Sequence, residues 1–398
     1  SLPTPCLTTS VRFCISRDTL HIYIRMDFST EPGPKMGCVT RGRSPATSLS
    51  YHESGSHLFV ASEKDSVLRI VDCLNGGSPS DRPPMIKLQR QGIRNVRATH
   101  HGHCVLFSPG MNDGVPKKNN MFYLSVHDNK IVREFEGHSA IINSISMSPA
   151  DDTFLSSGVD GTVRLWDCGK SGNSLGELRL PENVDGAPLA AFDSTGLVFG
   201  VSAAMAGGEG YVSLFGPEYQ CWIFKVTSDT FHYHFKHIHL YDARNYTVGP
   251  FAEMKVTRQD IESKLRHGGS TPERAYALSK AEWTSMEFNK SGKQILVGAN
   301  GGIALSIDGY EGTVLHSFLT EAGPSGASSS HPMAACFTAD DKSVICGNDD
   351  GTVSCYQADS GLLARKLRGH VDRVGAVAAN PNYAQLASAC TNTAVWIC

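Results

Sequence analysis

The sequence predicts an all-β chain folded as a seven-bladed β-propeller, its ring closed by an N-terminal strand. Three observations lead there. Residues 137–167 read GHSAIINSISMSPADDTFLSSGVDGTVRLWD, three apolar runs parted by turn residues, the pattern of short antiparallel strands joined tightly. Similar runs recur along the chain, and their third strands close at Val71, His127, Trp166, Tyr241, Ile307, Tyr356 and Trp396. The gaps between these positions are near one blade, except for two that hold insertions. Seven blades of roughly 40–45 residues each fit within the 398 residues and leave room for extensions.

Residues 137–167 justify the first observation. Ile141, Ile142, Ile145 and Met147 form the first run, Thr153 to Ser157 the second and Thr162 to Trp166 the third. The stretch opens on Gly137-His138 and closes on Trp166-Asp167, which is the signature of a WD-repeat blade. Resemblance to such repeats implies a hydrogen-bonded chain through His138, Ser156 or Ser157, Asp160 and Trp166. It would tie the loop leading into the blade to its third strand. The same residues are a poor catalytic pair, because the repeat already accounts for them.

The other elements follow in order. Residues 1–45 are irregular, and the first 25 to 35 read as upstream sequence. Leu20 to Arg25 and Lys35 to Arg41 are the candidates for the closing strand, the second favoured because it lies nearer the first blade. Blades follow at Ser48 to Cys73, Asn95 to His138 and the 137–167 stretch, whose outer strand is placed at Ser174 to Leu180. The fourth begins at Pro188, and either Gly210–Phe215 or His239–Asp242 serves as its third strand. Residues 216–238 between them, rich in aromatics, are either an added hairpin or non-native sequence such as a translated intron. Residues 257–280 are read as a charged, exposed loop with helix-like patches. Blades five to seven are Trp283 to Phe318, Met333 to Leu367 and Val374 to Cys398. The last has only three strands, so an N-terminal strand is expected to complete it and remove an exposed edge. The domain organisation is thus a 1–45 extension and a 46–398 propeller.

Composition excludes several functions. Formal charge is -3, from 36 basic and 39 acidic residues, which argues against a nucleic-acid surface built on clustered Lys/Arg. Lys87, Arg90, Arg94 and Arg97 are the one basic run. No apolar run reaches the ~20 residues of a membrane helix, so no membrane association is expected. The twelve cysteines contain no C-x-x-C pair and read as small core residues of a reduced compartment. There is no G-x-G-x-x-G opening a helix, no phosphate-binding G-x-x-x-x-G-K-[ST] and no G-x-S-x-G. His52-Glu53 and His57 are one residue too far apart for a zinc helix, and His100, His101 and His103 read as turn and strand residues. His232, His234, His237 and His239 are denser, with His232 and His234 on one strand face. The chain is nevertheless read without a metal, a cofactor or a catalytic residue.

Three stretches carry a closer resemblance: YLSVHDNKIVREFEGH (Tyr123–His138), SMSPADDTFLSSGVDGTVRLWD (Ser146–Asp167) and LASACTNTAVW (Leu386–Trp396). With Leu240–Ala252 and the Thr99-His100 stretch they resemble the family of WD-repeat-containing protein 82, the Swd-two family. The last turn, Ala389-Cys390-Thr391-Asn392, lacks the usual Asp and is similar to that family in lacking it. The resemblance implies a non-catalytic nuclear scaffold. Its partners would be subunits of Set-type histone methyltransferase (COMPASS) complexes and of type-one protein phosphatase and transcription-termination complexes, with the phosphorylated RNA polymerase II tail as a further ligand. Ser139, Asn143, Arg94, Arg97, Asp372 and Arg373 are the candidate partner-binding residues, with Ser139 to Asn143, Arg97, Asp372 and Arg373 expected on or near the face shared by the loops leading into the blades. Arg94 and Arg97 could pair with a phosphopeptide. The alternative is a WD-repeat adaptor in another pathway, such as substrate recognition by a ubiquitin ligase.

Overall fold

The structure is a computed structural model that describes residues 28, 34–76, 79, 84–88, 92–110, 119–180, 184–205, 209–214, 222–227, 235–267, 270–320 and 331–398. Strand β1 (Lys35–Thr40) precedes the first blade, which is β2 (Ser48–Tyr51), β3 (His57–Ala61), β4 (Val67–Asp72) and β5 (Met85–Lys87). Blade 2 is β6 (Ile93–Ala98), β7 (Cys104–Pro109), β8 (Met121–Ser125) and β9 (Lys130–Phe135). Blade 3 is β10 (Ile142–Met147), β11 (Thr153–Gly158), β12 (Thr162–Asp167) and β13 (Gly176–Arg179). Blade 4 begins with β14 (Val184–Phe192) and β15 (Val198–Met205), is interrupted by a hairpin of β16 (Glu209–Leu214) and β17 (Trp222–Thr227), and resumes with β18 (Phe235–Asp242) and β19 (Ala252–Thr257). Helices α1 (Arg258–His267) and α2 (Pro272–Ser279) follow. Blade 5 is β20 (Trp283–Phe288), β21 (Gln294–Ala299), β22 (Ile303–Asp308) and β23 (Val314–Leu319). Blade 6 is β24 (Ala335–Phe337), β25 (Ser343–Gly347), β26 (Thr352–Gln357) and β27 (Leu363–Arg368), and blade 7 holds β28 (Ala376–Ala379), β29 (Gln385–Ala389) and β30 (Thr393–Ile397).

The core is not one mass but a chain of seven interfaces, one between each pair of neighbouring blades. Strand alternation produces it, since successive side chains leave opposite faces of a sheet. In β11, Phe154 packs with Phe135 of blade 2, whereas Leu155 packs with Phe199 and Tyr241 of blade 4. A blade is therefore apolar on both faces and stable only when flanked. The last interface returns from blade 7 to blade 1, where Ala376, Ala387 and Val395 meet Leu49, Leu58 and Val71. β1 pairs antiparallel with β30, Val39 opposite Ala394 and Thr40 opposite Thr393, and supplies the fourth strand of blade 7. Of the two closing candidates this is the second; Leu20–Arg25 lies outside the described residues.

Three expectations change. The third strand of blade 4 is β18, paired with β15 from Val198↔Asp242 to Ala204↔Lys236, while residues 210–214 belong to the separate hairpin. The sheet resumes at Phe235, inside the range read as insertion. In blade 2 the position matching Trp166 is Leu124, opposite Val105, and not His127. The strand ends at Ser125, and His127 lies in the exposed turn beyond, against Asp128. Finally, residues 258–279 are two packed helices rather than an exposed loop. Thr257 and Asp260 cap α1 reciprocally, and Thr271 caps α2 ahead of Pro272. Ile261 and Leu265, one helical turn apart, are buried with Ala275 in the interface of blades 4 and 5.

Candidate protein-binding face

Blade 3 shows how its leading loop is held. Trp166 Nε1 donates to Ser156 Oγ at 2.8 Å, and Ser156 Oγ lies 2.7 Å from His138 Nε2. The serine has one proton, so it donates onward to Nε2, and the neutral imidazole donates from Nδ1 to Asp160 at 3.0 Å. Asp160 also accepts the Ser139 N–H at 2.8 Å and the N–H and hydroxyl of Thr162 at 3.1 and 2.8 Å. Burial pushes the Asp160 carboxyl up, but these donors and the imidazole hold it below the usual carboxylate range. Burial outweighs Asp160 at His138 and keeps its pKa below the ordinary value. Of the two serines considered, Ser156 makes the chain. Ser157 points to the opposite side, 2.6 Å from Ser144 Oγ, which itself donates to the Ala190 carbonyl of blade 4.

Blade 7 repeats the same core. Trp396 Nε1 donates to Ser388 Oγ at 2.7 Å, and Ser388 Oγ lies 2.7 Å from His370 Nε2. Here His370 Nδ1 meets Cys390 Sγ at 3.2 Å where blade 3 has a carboxylate. Blade 6 keeps the turn acid without the histidine: Asp350 accepts from Thr352 N and Oγ1 at 2.8 and 2.6 Å, and Asn348 Nδ2 donates to Ser354 at 2.8 Å.

The innermost strands of the blades surround a central cavity of about 1790 Å³. Arg94, Arg97, Asn143, Asp372 and Arg373 all line it. Ser139 is exposed on the leading loop of blade 3, its N–H held by Asp160. The arginines differ in their engagement. Arg97 donates from Nε to the Ile145 carbonyl at 3.0 Å and from Nη1 to the Val96 carbonyl at 3.0 Å and Ser48 Oγ at 3.4 Å, so it braces blades 1 to 3. Arg94 pairs with Glu63 at 3.3 Å and stays 35% exposed, the more accessible cation. Arg373 reaches Asp349 at 3.5 Å and the Pro332 carbonyl at 3.2 Å. Sequence reasoning missed Glu287 of β20, another cavity-lining residue. Burial pushes its carboxyl up to about 7, against the Phe337 N–H, which donates at 2.6 Å, and the field of Arg97. It also missed the bridge from His100 to Glu53 Oε2 and the Ser148 carbonyl, at 2.7 and 2.9 Å, which joins blades 1, 2 and 3. No spacing could reveal either, since their partners lie one blade away.

The cavity offers carbonyls, hydroxyls, arginines and acids in mixed array, suited to holding a polypeptide segment. Most of the described cysteines are buried. Among the described residues no helix is long and apolar enough to cross a membrane.

Seven four-stranded sheets in a ring, two of them pinned by a His–Ser–Trp relay, around a cavity lined by their innermost strands define a WD-repeat β-propeller. Residues 129–167 match the family model described as WD domain, G-beta repeat. The chain is 30% identical over 350 residues to WD repeat-containing protein 82 of Drosophila melanogaster, covering 88% of this chain and 89% of that protein. It is 26% identical to COMPASS component SWD2 of Saccharomyces cerevisiae, over 87% of this chain and 88% of that one. It is also 26% identical to Set1 complex component swd2 of Schizosaccharomyces pombe, over 78% and 70%. The chain belongs to the family of WD repeat-containing protein 82 and Swd2.

Proposed function

We propose that this chain is a non-catalytic scaffold subunit of a Set1-type (COMPASS) histone methyltransferase complex, acting in the nucleus. One observation carries the reading: the similarity to proteins named as components of such complexes runs along nearly the whole propeller rather than along one repeat. A rigid ring presenting loops suits that role, because binding residues sit on loops positioned by a stable frame. Affinity purification of the tagged chain from nuclear extract tests it. Recovery of a Set-domain methyltransferase supports the proposal. Recovery of ubiquitin-ligase subunits without it would replace the scaffold with an adaptor for substrate recognition.

Two finer roles extend the proposal: membership of a type-one protein phosphatase and transcription-termination complex, and binding of the phosphorylated RNA polymerase II tail at the cavity mouth. Arg94 supports the second, being a half-exposed cation beside the cavity whose ion pair with Glu63 can be exchanged for a phosphate. Arg94→Ala with Arg97→Ala is expected to weaken binding of a serine-phosphorylated tail peptide, and Arg94→Ala alone to account for most of the loss. Equal affinity of both variants and the parent at low salt removes this site. Ser139, Asn143, Asp372 and Arg373 are proposed as neighbouring partner contacts.

A further inference from the structure

His237 and His239 lie two residues apart on β18, so both imidazoles leave the same side of the strand. Ile238 and Leu240, on the other side, are packed in the core shared with blade 5. Antiparallel pairing with β19 sets Glu253 directly opposite His239 and Lys255 opposite His237. Glu253 Oε1 lies 2.5 Å from His237 Nδ1 and 3.6 Å from His239 Nε2, and one ligand atom from each residue falls within 4.8 Å of the others. The two rings stand edge to face with centroids 5.9 Å apart. The histidine side chains are 14% and 25% exposed and the carboxylate 55%, so the cluster is closed behind and open in front.

We propose that His237, His239 and Glu253 bind one divalent transition cation of the zinc class on the outer half of blade 4, with a fourth coordination position open to solvent. Two imidazoles and a carboxylate are a zinc donor set, and Zn–N and Zn–O bonds of about 2.0–2.2 Å in a tetrahedron separate donors by roughly 3.3 Å. The observed separations bracket that value, and the side chain that must adjust is the exposed Glu253. The frame is already built, because all three residues stand on strands joined by a regular ladder on either side of the Ile238↔Met254 pair. Magnesium and calcium do not fit, since they take mainly oxygen ligands. Lys255, the cation across from His237, opposes the metal's charge and limits affinity. The sequence reading weighed a metal at His232, His234, His237 and His239 and assigned none because the segment also reads as non-native sequence; the third donor, Glu253, comes from β19, and only the register brings it beside the histidines.

Calorimetric titration of the chelator-stripped full chain with zinc chloride tests this. One Zn²⁺ per chain is expected, with no heat from magnesium. Glu253→Gln and His239→Ala should each weaken zinc binding at least about tenfold, as loss of a ligand costs no less than loss of an outer-shell partner. Lys255→Ala should tighten it. Both weakening variants should keep the parent melting temperature without zinc, and only the parent should gain from zinc. A parent chain that takes up no zinc overturns the proposal, as do Glu253→Gln and His239→Ala chains that bind it as the parent does.

Discussion

Blades 3 and 7 share a relay and differ at its end. In both, an indole, a serine and a histidine are joined by bonds of 2.7–2.8 Å. In blade 3 the relay ends on Asp160, which gathers four donors; in blade 7 it ends on Cys390, which meets His370 and accepts the Asn392 N–H at 3.3 Å. The serine-to-tryptophan separation is 10 residues in blade 3 and 8 in blade 7, so the second turn is tighter. Thr162 gives both its N–H and its hydroxyl to Asp160, whereas Asn392, which stands at the matching place four residues before Trp396, gives its N–H to Cys390. The comparison separates two jobs. The His–Ser–Trp core ties the leading loop to the third strand, and the carboxylate ties the turn to both. Blade 7 lacks the carboxylate tie, and its fourth strand, β1, comes from the other end of the chain, whereas β13 of blade 3 follows its own third strand.

Removing residues 1–41 should have the largest effect, since it strips β1 from blade 7 and leaves blade 3 untouched. The melting transition should fall sharply and lose cooperativity; an unchanged curve would break the account of ring closure. Ser156→Ala and Ser388→Ala come next. Each leaves an indole N–H and an imidazole nitrogen buried and unpaired, at about 1–3 kcal/mol apiece. Similar losses of about 2–6 kcal/mol in denaturant titrations would show that the core is one device used twice. Asp160→Ala should then cost about 2–3 kcal/mol and Cys390→Ala about 1 or less, because only the first orphans several donors. Smallest is Cys390→Asp, which offers the Asn392 N–H and the His370 imidazole a stronger acceptor and should add about 0.5–1.5 kcal/mol if the shorter turn admits the carboxylate; a loss would show that cysteine suits this turn.

The two relays also predict a pH dependence. Burial holds His138 and His370 below their ordinary pKa, so the unfolded chain binds protons first. Stability is therefore fully present above about 6.5 and declines as pH falls below it. Asp160, also lowered, adds stability present above about 3.9 that is lost at more acid pH. Equilibrium unfolding of Asp160→Ala should lack that second decline, and blade 7 has no counterpart to it.

What could be read from sequence was what lies within one blade. Gly137-His138 and Trp166-Asp167 mark the ends of a single blade, so the propeller, the relay of blade 3 and the family were legible, while the second relay, at His370, Ser388 and Trp396, was not foreseen. The serine was left open between Ser156 and Ser157 because strand phase decides which of two neighbours faces blade 2. His127 was misplaced because His127-Asp128, in the turn just after β8, has the look of a Trp-Asp close, and the helices at 258–279 were read as a loop because their apolar residues are few and isolated. The cavity was not legible at all, since Arg97 meets Ile145, and Glu287 meets Phe337, only after neighbouring blades are set side by side.

The β1–β30 pair has a consequence for synthesis. Its two strands are separated by roughly 350 residues of chain, which a ribosome working at about 5–20 residues per second needs on the order of half a minute to produce. Throughout that interval β1 has no partner from its own ring, and the first blade lacks the neighbour that covers one of its faces. The nascent protein must be shielded or remain soluble as an open arc, so mutations that slow the final join should show first as aggregation during expression, before any loss of stability in the finished ring.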